Sequence, residues 1–308
     1  MGHGGAPRIG CGARLLERVT VVGGACDVPS GGVHRPDQTP DQLRGVSAGT
    51  VLAANAANNA RGDGARRRRW KPARAAAWAL LDGEVARGAR VAVAGAGNGD
   101  DLSLWRLARR AGRLDLIDVD AQALAGARRR TLGARALVED LTGGAADAVL
   151  AGATEAVAVP STPIGDGPYD VVICDLVLTQ LLYPALKAAG TLTGAEIDKV
   201  LLRHGQRLTD GVVARLHAAA PDGTVVILHD LLGWWDGHRQ PFTLEDLLAA
   251  PDPAAALSLA RRGSLPYGCD PWLATERAGA QVTHTALWRW PFAPGADYAV
   301  FGLVTRRG

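Results

Sequence analysis

What this 308-residue sequence has little of narrows its possibilities first. Lysine occurs only at Lys71, Lys187 and Lys199 while arginine, alanine and glycine abound, so helix propensity is a poor guide and periodicity and punctuation must carry the assignment. The cysteines Cys11, Cys26, Cys174 and Cys269 form no Cys-x-x-Cys and pair with no histidine. That excludes a zinc site and a disulfide framework, and fits a reducing cytoplasm with no bound metal. No apolar run approaches the roughly 20 residues that span a bilayer. The first residues, Met1-Gly2-His3-Gly4-Gly5, lack the basic stretch and apolar segment of a secretion signal, so neither secretion nor insertion is expected. The formal charge of +3 is small and its local excess sits in Arg66–Arg69, too little to argue for a nucleic-acid partner.

What is present suits a folded enzyme, because 47% hydrophobic residues in a chain of this length are ample for a buried core. Residues 1–40 are rich in glycine and proline around one short apolar stretch, Val19–Val22, and read as a mobile or loosely attached extension. Residues 41–88 read as a helical segment. One helix opens at Thr39-Pro40-Asp41 and runs through Leu43, Val46, Val51 and Leu52 to Asn59. Another runs from Pro72 to Arg87, burying Ala76, Leu80, Leu81 and Val85, with Gly88 beyond its end.

From residue 89 the pattern changes to strand, turn, helix, strand: Arg90–Ala94, Leu102–Arg110, Leu114–Ile117 and Ala121–Leu132. Such alternation builds βαβ units and a mainly parallel, doubly wound sheet. Tyr169–Cys174 and Thr224–Leu228 have little polar alternation, as in strands covered on both faces, with helices Ile197–Leu202 and Leu208–Ala219 between them. Val282–Trp290 and Tyr298–Thr305 read as a hairpin that gives the sheet an antiparallel C-terminal edge. The long insertion before it, about residues 236–280 with two proline-bounded helices, is expected to form a lid.

Four segments carry chemistry. In Val91-Ala-Val-Ala-Gly95-Ala96-Gly97-Asn98-Gly99-Asp100-Asp101, glycines remove the side chains that would keep a nucleoside cofactor off the backbone. A dinucleotide fingerprint needs a third glycine where Asp100 stands, and an acid beside a pyrophosphate is electrostatically wrong. S-adenosylmethionine carries no phosphate, and its ammonium and sulfonium groups welcome carboxylates. Leu114-Asp-Leu-Ile-Asp118-Val119-Asp120 is a strand ending in acid about twenty residues on, where Asp118 can accept ribose hydroxyls and Asp120 suits the cap of the next helix. Leu137-Val-Glu139-Asp140-Leu141-Thr142 offers Asp140 to an adenine amino group or to its own turn. Tyr169-Asp-Val-Val-Ile-Cys-Asp175-Leu176 ends in a carboxylate placed to orient a substrate donor or the sulfonium, or to cap a helix.

In this order the segments resemble the motifs of class I S-adenosylmethionine-dependent methyltransferases over about residues 73–235. Gly95-Ala96-Gly97-Asn98 with Asp101-Leu102 is similar to the first motif of a bacterial subgroup. The resemblance implies a Rossmann-like fold in which Gly95, Gly97 and Gly99 pack against the methionine part, Asp118 holds the ribose, Asp140 approaches adenine, and Asp175 lies near the reacting end. Ala96, Val119, Leu141 and Leu176 flank these positions and are expected at the same cofactor. Members usually carry an acid two residues before the first glycine. This chain has Val93, which leaves Asp100 or Asp101 to meet the methionine amino group.

Twelve of the fifteen aromatic residues lie at or after Tyr169, which predicts an aromatic substrate side including Trp234 and Trp235. His229 is a candidate general base beside the crevice, with Asp175 and Tyr183 as further catalytic candidates and Gln180 and His238 as polar contacts. Methyl transfer needs in-line alignment more than a dedicated base. The expected function is methyl transfer to oxygen or nitrogen of a small metabolite or peptide-like natural product. A homo-oligomer is compatible with it. Alternatives are a non-catalytic partner that binds the cofactor, a nucleic-acid methyltransferase using Arg66–Arg69 and Trp70, and a nicotinamide oxidoreductase, which Asp100 disfavours.

Overall fold

A computed structural model describes residues 50–60, 64–152, 157–238, 240–263 and 269–308. The extension at 1–40, the stretch Val19–Val22 and the opening of the first expected helix lie outside the described residues.

Among the described residues seven strands form one sheet: β1 (Arg90–Ala94), β2 (Arg113–Asp118), β3 (Arg135–Val138), β4 (Val171–Asp175), β5 (Thr224–Trp235), β6 (Ala280–Ala293) and β7 (Ala296–Arg307). Their order is β3-β2-β1-β4-β5-β7-β6. The first five are parallel, and β7 and β6 close the edge antiparallel. The chain therefore winds outward from β1 to β3 and returns to β4 on the other side of β1. That reversal opens a crevice at the carboxyl ends of β1 and β4, where ligands of such sheets bind. The Rossmann-like, doubly wound α/β fold with an antiparallel edge is the one expected.

Strand alternation sorts the core into two layers. Val91 and Val93 join Leu114, Leu116, Val171 and Ile173 in one cluster with residues of α3 (Lys71–Glu84), α4 (Leu104–Arg110) and α5 (Ala121–Arg130). Ala92, Ala94, Ile117, Val172 and Cys174 face the opposite layer, with α1 (Thr50–Ala60), α6 (Ala145–Leu150), α7 (Tyr183–Ala189) and α8 (Gly194–Ala219). Both faces being covered, β1 and β4 read as apolar runs. In α3 the buried face is Ala73, Ala77, Leu80 and Leu81, and Val85 is buried just past its end; Ala76 is only partly buried. Burying one such leucine contributes about 1.5–3 kcal/mol.

Two elements are longer than expected. The helices foreseen at Ile197–Leu202 and Leu208–Ala219 are one helix of 26 residues, opened by a Thr193–Glu196 capping box. Its buried stripe of Ile197, Val200, Leu201, Leu208, Val212 and Leu216 keeps helical spacing across the polar stretch that divides the sequence pattern. β5 continues past Leu228 to Trp235 because β7 pairs with it that far, through a register shift between Asp230 and Leu232.

The insertion between β5 and β6 holds three short helices among the described residues, α9 (Leu244–Leu248), α10 (Pro253–Ala260) and α11 (Pro271–Arg277), where two are expected. Leu244, Leu247, Ala256 and Ala260 seat α9 and α10 on a small apolar cluster with Leu231, Leu232, Ala299 and Phe301. The remaining short helix, α2 (Gly64–Arg69), leads into α3 through Trp70.

Candidate functional site

β1 ends at Ala94 and the chain turns through Gly95, Gly97 and Gly99, whose φ angles of 77°, 46° and 65° fall in the left-handed region that favours glycine. The Gly95 and Ala96 amides donate to the Ile117 carbonyl at 2.9 and 3.1 Å, tying the turn to β2. Asp118 closes the unit: its Oδ2 accepts from the Gly97 amide at 2.8 Å and its Oδ1 from the Asp120 amide at 2.9 Å. Turn and strand end thus share one carboxylate. Asp120 caps α5, as expected, accepting from the Gln122 and Ala123 amides. Val119 is half-buried between the two acids, and Ala96 is buried.

α1 lies against this turn. The Asn59 side chain donates to Asp120 Oδ2 at 2.9 Å, its carbonyl accepts from Asn98 Nδ2 at 3.1 Å, and a Cβ on Gly97 would stand 3.0 Å from Asn59 Oδ1. Nothing in the sequence distinguishes Asn59 from the helix end it occupies.

Four carboxylates gather around the crevice. Burial raises Asp118 above the ordinary carboxylate range, against the pull of its backbone donors. Asp101 is raised to about 7 by burial, with Arg66 and Arg74 opposing and Asp100 adding to the rise. Asp230 is raised to about 7 by burial, and its hydrogen bond from Thr179 Oγ1, 2.8 Å, works the other way. Asp175, 2% exposed, is raised well above the usual range by burial and then by the charges of Asp101 and Asp118. Its Oδ1 is buried without a hydrogen-bond partner among the described residues. The next residue, Leu176, has φ 51°, a conformation that costs a residue other than glycine about 1–3 kcal/mol and concentrates at functional sites. The Leu176 amide donates to the Leu228 carbonyl at 3.0 Å, and Gln180 Nε2 donates to the Leu176 carbonyl at 2.7 Å.

Asp101, Asp175 and Leu176 line a narrow pocket whose walls include Trp70, Trp288 and Trp290. Val93, where an acid is usual, is fully buried among the apolar residues of the α3 to α5 layer, so a carboxylate there would lack solvent.

Several expectations need correction. His229 is fully buried with its Nε2 3.8 Å from the Cys269 thiol, and burial lowers its pKa to about 3. A neutral core imidazole of such low basicity is a poor general base. The alternation of β5 explains the placement: Val225, Ile227 and His229 share one face, while Val226, Leu228 and Asp230 share the pocket face. Trp234 is packed into the small apolar cluster and donates to the Phe242 carbonyl at 3.1 Å. Trp235 stacks on His238 with centroids 4.0 Å apart and lies 5.9 Å from Tyr298, at the far end of β5. Neither tryptophan nor His238 lines the pocket. Tyr183 opens α7, half-buried against the opposite layer, with Lys187 over its ring. Asp140 turns its oxygens onto the Thr142 amide and hydroxyl and the Gly144 amide, and Leu141 is a core residue.

Half of the arginine run is docked, while Arg67 and Arg68 are exposed. Arg66 pairs with Asp100 at 2.8 Å and sits over the Trp70 ring, and Arg69 Nε donates to the Phe292 carbonyl at 3.2 Å. Trp70, 4% exposed, packs edge-on to Trp290 and stacks on Phe292, leaving no ring face open to solvent on which a base could stack. Because Arg66 compensates Asp100, that acid repels a pyrophosphate less than its sequence position implies. Geometry disfavours a dinucleotide instead: α4 opens only at Leu104, so the glycines do not run straight into a helix N-terminus.

Comparison with protein-family models gives no match, and comparison with curated proteins gives none. Solved structures do resemble the chain. A SAM-dependent methyltransferase from Aquifex aeolicus aligns at 14% identity and a TM-score of 0.43, covering 82% of this chain and 97% of the other. The 1,6-didemethyltoxoflavin-N1-methyltransferase of Burkholderia thailandensis, with bound S-adenosylhomocysteine, aligns at 17% identity and a TM-score of 0.43, covering 90% and 94%. The geranyl diphosphate C-methyltransferase of Streptomyces coelicolor A3(2) gives 12% identity and a TM-score of 0.39, covering 76% and 79%.

Proposed function

We propose that the protein is an S-adenosylmethionine-dependent methyltransferase acting on oxygen or nitrogen of a small metabolite or peptide-like natural product. The observation that carries this reading is the joining of the glycine turn, through Asp118, to a crevice lined with carboxylates. Asp118 retains lone pairs beyond its two amide bonds and can accept the ribose hydroxyls. Asp101 lies where a methionine ammonium needs an anion, in the role that Val93 cannot fill. Glycine at 95 and 97 is required by the chain's own packing, since a Cβ at Gly95 would stand 2.6 Å from Val177 Cβ and one at Gly97 3.0 Å from Asn59 Oδ1. A cation brought into this crevice would favour the charged form of acids whose ionisation burial disfavours, which a pyrophosphate would not.

The bound cofactor supplies an electrophilic methyl on a positively charged sulfur. The chain's own part is to hold the ribose with Asp118, fix the charged end with Asp101, and orient the acceptor near Asp175. The helices α9 and α10, expected as a lid, pack instead with Leu231, Ala299 and Phe301, on the side of β7 away from the Val300 that lines the pocket, and no residue of α9 to α11 lines it. With His229 in the core, Asp175 replaces it as the candidate proton acceptor.

Calorimetry with S-adenosylmethionine and S-adenosylhomocysteine tests the cofactor, and absence of binding by both at millimolar concentration would overturn it. Binding without methyl transfer to any acceptor offered would favour the non-catalytic partner instead. Salt-sensitive retention on RNA or DNA, lost on neutralising Arg67 and Arg68, would favour a nucleic-acid acceptor.

A further inference from the structure

We propose that α1 is a moving wall of the cofactor site, which lifts to admit S-adenosylmethionine and closes over it with Asn59 as the latch. This rests on the methyltransferase reading above and adds how that site opens.

α1 packs against α5, in one helical layer, and against α6 and α7, in the other. Those three helices follow β2, β3 and β4, all parallel, so a helix that touches all of them crosses the sheet at the carboxyl edge where the crevice opens. Its last residues rest on the glycine turn. Asn59 Oδ1 would stand 3.0 Å from a Cβ on Gly97, Asn59 Nδ2 donates to Asp120 Oδ2 at 2.9 Å, and the Asn59 carbonyl accepts from Asn98 Nδ2 at 3.1 Å. Asp118 joins the Gly97 and Asp120 amides that lie at this contact, and it is 8% exposed. The space beside Asp101 and Asp175 is about 10 Å³, against the roughly 300–1,000 Å³ of sites that enclose small ligands. A ligand as large as S-adenosylmethionine therefore reaches Gly97 and Asp118 only after part of the chain moves.

What holds α1 in place makes it the part that moves. Of its eleven residues only Val51 and Ala54 are buried, in the cluster that contains Leu181, Leu182 and Ala185. By contrast α3 buries Ala73, Ala77, Leu80 and Leu81, and β1 is paired on both sides. Among the described residues the hydrogen bonds from α1 to other elements gather at one end: the Asn59 pair, and Arg66 Nη1 donating to the Asn58 carbonyl at 3.5 Å. Water replaces such bonds at modest net cost, so α1 opens more readily than the sheet below it. Closing again over a bound cofactor keeps water from the sulfonium. Asn59 is then a positioning residue: it sets how often α1 is open and takes no part in the chemistry.

Surface plasmon resonance of S-adenosylhomocysteine on the full chain reads the two rates separately. Asn59→Ala removes the bond to Asp120 and should raise the association and the dissociation rate about fivefold or more each, with Kd changed by less than about threefold. A purely structural Asn59 leaves the association rate unchanged or lowers it, and either result overturns the inference. Faster dissociation alone makes Asn59 an ordinary cofactor contact and overturns it as well. Hydrogen exchange on the unsubstituted chain tests the motion without a variant. An isolated helix of eleven residues is marginal in water, so each lifting exposes the α1 amides. They should exchange at least about tenfold faster than the amides of β1, and slow by about tenfold or more with saturating S-adenosylhomocysteine. Exchange as slow as in β1, or indifferent to the ligand, would sink the idea even where Asn59→Ala does not fold. Failure of S-adenosylhomocysteine to bind the unsubstituted chain removes the methyltransferase reading and this inference together, a result distinct from binding with unaltered rates.

Discussion

At the scale of single residues, the site depends on carboxylates with different roles in one small volume. Asp118 serves structure and ligand together, holding the Gly97 and Asp120 amides while facing the expected ribose. Asp118→Asn keeps the size but loses the charge and can accept only one of the Gly97 and Asp120 amides. S-adenosylhomocysteine affinity is expected to fall about tenfold to a hundredfold by calorimetry, and an unchanged affinity would remove Asp118 from the site. Asp101, raised to about 7, leads to a second expectation. Only the carboxylate can pair with the methionine ammonium, so binding should strengthen as pH rises from about 6 to 8 and release a proton below 7. Asp101→Asn should flatten that rise. The same slope in the variant would point to another group.

At the scale of elements, close approach decides what propensity does not. In α8 a Cβ on Gly211 would lie 2.3 Å from Val159 Cβ, although alanine is the better helix former by about 1 kcal/mol. Overpacking costs about 1–3 kcal/mol, so Gly211→Ala should lower the melting temperature. Combined with Val159→Gly, which removes the opposing Cβ, the clash disappears. The sign of Gly211→Ala relative to Val159→Gly alone should then reverse in a double-mutant cycle. A destabilising Gly211→Ala in both backgrounds would refute this packing account. The contact of α1 with the glycine turn belongs to this scale as well, because Asn59 reaches the site only through the docking of a whole helix.

Across the whole molecule, buried ionisable groups pull stability in opposite directions. His217 and His229 are lowered by burial to about 4 and about 3, so the unfolded chain binds their protons first and stability is lost as pH falls below about 6.5. Asp101 and Asp230, raised to about 7, bind protons first in the folded state and add stability as pH falls from about 7 to about 4. Over their shared range the two effects offset. A melting temperature that changes little between pH 6.5 and 4.5 is expected, and His229→Leu should tilt the profile toward greater stability in acid. A steep acid loss retained in His229→Leu would show that His229 is not its cause.

The sequence by itself determined the layered α/β fold, the strands near the glycine turn and the antiparallel edge. These are local properties: apolar runs bounded by turns, glycines where the backbone must enter the left-handed region, and an aspartate that caps the helix after it. The positions of Gly95, Gly97, Asp118 and Asp175 at the crevice follow from the same order of strands. The tertiary structure alone decided which side chains meet. Strand parity sends His229 into the core and Asp230 to the pocket face, and β7 pairing prolongs β5 so that Trp235 and His238 stack away from it. Trp70 and Trp290, separated by more than two hundred residues, become one wall only because α3 packs against the strand that carries Trp290. Such contacts depend on the order of the whole sheet, which no local pattern encodes.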